Sequence, residues 1–221
     1  MKISAPINET IALTLSKGES ESILVLPPSG AERSECTFRA ELDEGASLQM
    51  VFVCHSLEST RHNIRIDLRG KGAQCELSGL YLTAAGEETL FNVEMIHSAP
   101  ECISSQLFKG IVSGNGYADF FGLIRVPQDS QKTEAYQENH NLLLDEQSRA
   151  HTRPQLEIYA DDVKCSHGAT IGRLDPDGLF YLRSRGISLA EAQKMQQRAF
   201  LSDVIEKIED EKIREQISEL I

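Results

Sequence analysis

Hydrophobic and polar residues alternate along most of the chain, from about Ile11 to Ile171. The alternation is clearest at 64–68 and recurs at 48–52 and 91–95, with glycines between such runs. A period of two predicts β-strands that bury one face. The runs recur roughly every dozen residues with no helical pattern between them, so the sequence predicts a mainly β fold: a sandwich, a barrel or a coil of stacked strands.

The period changes after Gly186. Ser188 followed by Glu191 is a capping-box pattern, which predicts the start of a helix. Apolar residues then recur at helical spacing on one face, while the opposite face is rich in Glu, Asp and Lys. The stripe consists of Leu201, Val204, Ile205, Ile208, Ile213, Ile217 and Leu220. We therefore divide the chain into a β core at 1–180 and a C-terminal module of one or two amphipathic helices at 181–221.

Two further expectations concern how these parts are arranged. An open terminal coil exposes unpaired strand edges, so the helices are expected to pack on the end of the β domain. The stretch from Pro127 to Pro154 has few apolar residues apart from Leu142–Leu144, which predicts an excursion between strands. No clean short repeat of the kind that marks a regular solenoid is visible.

Composition limits the classes of partner and compartment. Acidic residues outnumber basic ones by 34 to 22, and the formal charge of −12 argues against nucleic acid or an anionic membrane surface as a partner. No apolar run is long enough to span a bilayer, and the N-terminus lacks the apolar region of a signal peptide. The five cysteines are an odd number without a CxxC motif, which favours a reducing cytosol.

The candidate chemistry lies between Pro154 and Gly186, where Asp161, Asp162, Cys165 and His167 lie close together in sequence. If the backbone stays extended through this stretch, Asp161, Cys165 and His167 share one face of a strand. A Cys and a His two residues apart can bind a soft or borderline metal together, or hold a thiolate beside an imidazole. The pair supplies two ligands, so a closed metal site needs others from elsewhere.

The same segment resembles a known family. CSHGATIG followed by LFYLRSRGI is similar to the C-terminal core of the SufB/SufD family, the scaffold subunits of the Suf iron–sulfur cluster assembly machinery. LSGLYL at 77–82, SSQLFKGI at 104–111 and QKTEAYQENHNLLL at 131–144 match the same pattern in the same order. The resemblance runs from about Gly72 to Phe200, and the Ser-His-Gly after Cys165 is similar to the SufD branch.

The resemblance implies a right-handed parallel β-helix core, with room for further β coils in 127–154, and a non-enzymatic scaffold. The chain would pair with a SufB-like partner or with itself through its terminal coils, and its C-terminal helices would bind the SufC ATPase. His167 would handle iron or sulfur, with Cys165 as a thiolate ligand. The resemblance also implies a transient iron–sulfur cluster or iron at the subunit interface and no tightly bound cofactor. Full-length members carry a helical N-terminal region, whereas this sequence begins with strand-like residues, which predicts either a short form of the family or a truncated chain.

Other interpretations remain open on the residues alone. Cys165 and His167 could simply shape a turn in a structural homodimer that has lost cluster chemistry. A β-helix polysaccharide hydrolase or lyase would use Asp161, Asp162 and Arg173, but adjacent carboxylates on a strand point to opposite faces. The remaining histidines and cysteines show no ligand spacing and are interpreted as structural. Residues 114–116 predict a turn, and no Walker A sequence is present, so no ATP hydrolysis by this chain is expected.

Overall fold

A computed structural model describes residues 2–4, 9–29 and 32–221. These residues form thirteen strands followed by three helices. The strands are β1 (Lys2–Ser4), β2 (Glu9–Leu15), β3 (Ser20–Leu26), β4 (Arg33–Leu42), β5 (Ser47–His55), β6 (Ser59–Leu68), β7 (Gln74–Thr83), β8 (Glu88–His97), β9 (Ile103–Val112), β10 (Tyr117–Val126), β11 (Glu134–Leu143), β12 (Arg149–Ile158) and β13 (Lys164–Gly172). The helices are α1 (Pro176–Ser184), α2 (Leu189–Ile205) and α3 (Glu211–Leu220).

The strands form two parallel sheets that the chain visits in turn. The odd-numbered strands make a seven-stranded sheet, ordered β1-β3-β5-β7-β9-β11-β13, and the even-numbered strands make a six-stranded sheet, ordered β12-β10-β8-β6-β4-β2. Each strand therefore pairs with the strand two places away in sequence, as in a coil wound around one axis. The fold is a parallel β-solenoid, which confirms the mainly β prediction and the β-helix that the family resemblance implies.

The coils repeat every 27 to 31 residues in the odd-numbered sheet, where Leu48, Cys75, Ser104, Ala135 and Cys165 lie in register. These five residues occupy equivalent positions in successive coils. Their side chains point in the same direction, but the residue type changes from one coil to the next. A repeat defined in this way is difficult to find by comparing residue identities.

One kind of turn does carry the repeat in its sequence. Gly18, Gly45 and Gly72 occupy equivalent turns with positive φ, and Glu101 and Lys132 adopt the same conformation in the next two coils. Each residue donates its backbone N–H to a carbonyl of the following turn, at 2.6–3.1 Å. Glycine favours this backbone conformation because it lacks a Cβ. Three glycines 27 residues apart are thus a signature of the solenoid that a search for a short repeat does not detect.

The interior of the solenoid changes character along its axis. Its middle coils contain a chain of ring contacts with centroid distances of 4.9–6.2 Å, formed by Phe38, Phe52, His62, Tyr81, Phe91, Phe108 and Phe120. Nearer the C-terminal coils the buried side chains become polar: Gln106, Gln137, Asn139 and Asn141 are at most 2% exposed. The Tyr81 hydroxyl links these two regions, because it donates to Asn141 Oδ1 at 2.6 Å and accepts from Asn139 Nδ2 at 3.0 Å.

This polar interior explains why the prediction of an excursion between strands at 127–154 was wrong. The stretch contains β11 and the start of β12, two regular strands of the solenoid. Inward positions of β11 are held by Gln137, Asn139 and Asn141, so the apolar–polar alternation that reveals a half-buried strand is missing. The alternative left open by the family resemblance, further β coils, is the one observed.

Helices α2 and α3 pack beside the solenoid, against the outer face of the odd-numbered sheet. Leu201, Val204, Ile208, Ile213 and Ile217 form a second buried cluster with Val51, Val53, Leu80, Ile111 and Leu142. The expectation that the helices pack on the end of the β domain is therefore wrong. Val51, Val53, Leu80, Ile111 and Leu142 are apolar residues at outer positions of β5, β7, β9 and β11, and the helical stripe removes them from water.

Two lysines form ion pairs between the helical region and the odd-numbered sheet. Lys109 on β9 is 8% exposed and its Nζ lies 2.6 Å from Asp203 Oδ2 on α2. Lys207, just after α2, contacts Glu76 at 2.7 Å and donates to Ser78 Oγ at 3.1 Å. The predicted helix start is confirmed, since Ser188 Oγ accepts from the Glu191 N–H at 3.2 Å. Within the described ranges, no helix has the length and apolar character needed to cross a membrane.

Candidate functional site at the last coil

The last coil leaves strand edges open. In the described part of the chain, β12 pairs with β10 alone and β13 pairs with β11 alone. Unpaired edge strands present N–H and C=O groups that can pair with another chain. Large apolar side chains are exposed on the same coil: Ile158 is 37%, Tyr159 63% and Ile171 46% exposed. The end of the solenoid is thus a surface suited to contact with a second molecule.

The chain bends between these two strands, at Asp161 and Asp162. The backbone does not remain extended through Val163, so Asp161 lies outside the strand that holds Cys165. Asp162 forms part of the turn: its N–H donates to Gln131 Oε1 at 2.9 Å, and its carbonyl accepts from the Lys132 N–H at 2.6 Å. The bend explains why one shared face for Asp161, Cys165 and His167 was the wrong prediction. Arg173 is exposed and follows β13 directly.

Cys165 and His167 both lie on β13. They pair in register with Ala135 and Gln137 of β11, whose side chains are fully buried in the solenoid. Cys165 packs against the interior cluster. Side chains two residues apart on a strand share a face, so His167 occupies the next inward position along β13. The register continues without interruption from Lys164 to Gly172.

The two side chains differ in accessibility and charge. Cys165 is half-buried, and this burial raises the pKa of its thiol, partly opposed by a hydrogen bond with the Ala135 backbone. The resting form is therefore the thiol, a poorer metal ligand and nucleophile than the thiolate. His167 is exposed at the end of the solenoid. Among the described residues, no group of three or more His, Cys, Asp or Glu side chains is arranged to hold a metal ion. A metal bound by Cys165 and His167 would thus require ligands from another molecule.

The other cysteines and histidines sit mainly in the core. Cys36 Sγ lies 2.9 Å from His62 Nδ1, and both side chains are at most 2% exposed. Burial, with a smaller effect of Glu35, raises the pKa of Cys36 to about 12, and burial lowers the pKa of His62 to about 4. The pair is accordingly a neutral thiol–imidazole contact at neutral pH. Residues 114–116 form a turn in which Gly114 and Asn115 have positive φ, which confirms that prediction.

A second surface was not found from the sequence. Helix α1 buries none of its residues, and Phe180 and Tyr181 are 75% and 58% exposed. The Arg185 guanidinium lies over the Tyr181 ring, 5.4 Å from its centroid. The start of this helix was predictable, because Asp175 caps it and Pro176 is its first residue. We call Phe180, Tyr181 and Arg185 the α1 patch.

Comparison with known proteins identifies the family. Residues 30–200 match the family model described as "SUF system FeS cluster assembly, SufBD core domain". The chain is 43% identical over 157 residues to the iron–sulfur cluster assembly protein SufD of Escherichia coli, which covers 71% of this chain and 37% of that protein. It is 40% identical over 158 residues to the chloroplastic protein ABCI7 of Arabidopsis thaliana, covering 71% of this chain and 33% of that protein.

A mycobacterial relative extends the match. An iron–sulfur cluster assembly SufBD family protein of Mycobacterium leprae is 31% identical over 186 residues, which is 80% of this chain and 47% of that protein. The chain thus spans about a third to a half of the length of these relatives. The matched region contains β4 to β13, α1 and most of α2. The chain belongs to the SufB/SufD family, and residues 30–200 are its SufBD core domain.

Proposed function

We propose that this chain is a SufD-like, non-enzymatic scaffold subunit in iron–sulfur cluster assembly. The observation that carries the proposal is the open last coil, where β12 and β13 present free edges and β13 holds Cys165 and His167. Relatives that cover most of this chain are named as iron–sulfur cluster assembly proteins. Iron, sulfide or a nascent cluster is the cargo of such a scaffold.

The partner at the open coil would be a SufB-like chain or a second copy of this one. Cys165 and His167 supply two potential ligands, and the described residues near them add no third. A second chain that pairs along β12 or β13 would extend the sheets and could bring further ligands to the same place. Burial of Ile158, Tyr159 and Ile171 would add apolar contact.

The α1 patch would dock the SufC-type ATPase. Exposed aromatic residues flanked by arginine are typical of the side chains that dominate binding at protein interfaces. Phe180 and Tyr181 are exposed side chains on a helix that has no buried residue, so they are available to a partner. The α1 patch and the open coil are separate features of the fold, so both partners could bind one chain together.

Chemistry at the open coil would depend mainly on His167. Its imidazole is exposed, whereas burial raises the pKa of the Cys165 thiol and disfavours its thiolate form. Four of the five cysteines are buried and all five are free. Free thiols are in keeping with a reducing compartment, and we place the protein in the cytoplasm.

His167→Ala tests this site. We expect the variant to fold and to bind the ATPase as the wild type does, while anaerobic cluster assembly with the partner subunits is lost. His151→Ala is the matched control, because His151 is an exposed histidine on β12. Cys165→Ala should reduce assembly less than His167→Ala does. Wild-type assembly by the His167→Ala protein would exclude the site assignment.

Two other results would change the functional class. A folded chain that binds the ATPase yet supports no cluster assembly would indicate a structural paralogue without cluster chemistry. Turnover of an acidic polysaccharide that depends on Asp161, Asp162 or Arg173, without any ATPase, would indicate a β-helix hydrolase or lyase.

A further inference from the structure

A column of inward positions leads to His167 from inside the solenoid. Leu77, Gln106, Gln137 and His167 are successive register partners on β7, β9, β11 and β13. Neighbouring strands lie about 4.8 Å apart, so polar side chains in such a column can bond directly to one another. The column is apolar at Leu77 and polar at the three positions nearest the open end.

The middle amide of the column is fixed but incompletely bonded. Gln137 is fully buried, and its Nε2 donates to Gln106 Oε1 at 3.1 Å. A Cβ on Gly122 would overlap the Gln137 amide, so the glycine makes the space in which the amide sits. Within the described residues, Gln137 Oε1 is a buried oxygen without a hydrogen-bond partner. A buried acceptor left unpaired is destabilising, and native structures normally supply a donor.

The direction of the Gln137 bond indicates where that donor lies. Because the Gln137 amide nitrogen donates to Gln106 Oε1, the Gln137 oxygen is the atom of that amide left to bond elsewhere, and Gln106 Nε2 is likewise buried without a hydrogen-bond partner among the described residues. The next residue of the column is His167, an exposed histidine whose ring nitrogens can donate. His167 and Gln137 are register partners on adjacent strands about 4.8 Å apart, a spacing at which side chains of the two residues can form a hydrogen bond.

We propose that Gln137 is a positioning residue for His167. Its Oε1 accepts the N–H of one ring nitrogen and so fixes the tautomer, leaving the other nitrogen unprotonated. Histidines that bind metals commonly donate their second ring N–H to such an acceptor. The role in assembly rests on the function proposed above, but the hydrogen bond itself is a property of this chain alone.

Nuclear magnetic resonance of the chain with ¹⁵N-labelled histidine tests the hydrogen bond without any assembly assay. At a pH where His167 is neutral, we expect one tautomer, with one protonated and one unprotonated ring nitrogen. Gln137→Leu should lose this preference, and Gln137→Glu, which retains an acceptor oxygen, should restore it. Gln155→Leu, on the outer side of β12, is the control and should leave the tautomer unchanged. A mixture of tautomers in the wild type would overturn the proposal, even if the Gln137 variants failed to fold.

A second readout separates this proposal from the proposed function. Loss of a residue that orients a metal ligand typically weakens metal binding 10- to 100-fold. We expect that loss for Fe²⁺ in the Gln137→Leu chain paired with its SufB-like partner. If the wild type shows one tautomer but His167→Ala assembles clusters normally, the site assignment is refuted and the hydrogen bond is still supported. Lost assembly in His167→Ala with a mixed wild-type tautomer would refute the role of Gln137 alone.

Discussion

Close packing between coils depends on single glycines that face large side chains. A Cβ on Gly110 would overlap the Tyr81 ring, and one on Gly79 would overlap the Phe108 ring. Tyr81 is 2% exposed and bonds to Asn139 and Asn141. Its position therefore determines both the aromatic packing and the polar network of the later coils.

Gly110→Ala tests this dependence. We expect a loss of about 1–3 kcal/mol in the free energy of unfolding, since the added methyl forces Tyr81 to move. Urea denaturation measures the loss. Gly168→Ala is the matched control, because a Cβ there meets no atom within 4 Å, and its stability should change by less than about 0.5 kcal/mol. Equal stability of the two variants would contradict the packing argument.

Buried neutral histidines predict a dependence on pH. Burial lowers the pKa of both His62 and His97 from 6.5 to about 4. Between these values the unfolded chain binds more protons than the folded one, so stability is full above pH 6.5 and falls as the pH drops toward 4. Full loss would amount to about 3 kcal/mol for each histidine.

The measurement is the free energy of unfolding at several pH values from 6.5 to 5. His62→Gln should reduce the slope, whereas His151→Gln, at an exposed position on β12, should retain the wild-type slope. A wild-type stability that stays constant over this interval would contradict the lowered pKa values, because it would mean that the folded and unfolded chains bind protons equally.

The turns repeat a single backbone conformation, and glycine is the residue that adopts it most easily. Gly45 has a φ of +65°, and a Cβ there would meet no atom within 4 Å. Gly45→Ala should therefore cost about 1 kcal/mol through backbone strain alone. Gly172→Ala adds the same methyl in equally open space without a positive φ, and we expect it to be neutral. Thermal unfolding of both variants tests the argument, and equal melting temperatures would contradict it.

The attachment of α2 depends on the Lys109–Asp203 ion pair as well as on apolar contact. Asp203→Ala would leave the buried Lys109 ammonium without its carboxylate. Because the Asp203 side chain is 57% exposed, we expect a loss of about 1–2 kcal/mol, between the values for surface and buried pairs. Adding Lys109→Met should recover part of that loss. A double variant no more stable than Asp203→Ala would show that the ion pair is not what holds the helix.

Different elements were predictable to different degrees. Strands with apolar inward positions, such as β6 and β8, are evident from alternation, and Ser188 with Glu191 predicts the start of α2. Strand β11 was missed because its inward residues are polar and bond to residues of other coils, which a local pattern does not reveal. The place of the helices depends on the outer faces of four strands from different coils.

At the scale of the whole molecule, the two candidate surfaces lie on consecutive elements of the chain. His167 lies on the last strand of the odd-numbered sheet, and Phe180 lies on the helix that follows it. The Cys-His pair on one face of a strand was predictable from its spacing. The register with Gln137 was not, since it depends on a strand 30 residues earlier.

The central claim is that the open coil and the α1 patch bind different partners. Light scattering after size-exclusion chromatography measures it directly, with the chain mixed in turn with SufB-like and SufC-type proteins of the same organism. We expect Ile171→Asp to lose the SufB-like partner and keep the ATPase, and Phe180→Asp to do the reverse. The account is contradicted if both variants lose the same partner, or if neither variant loses a partner.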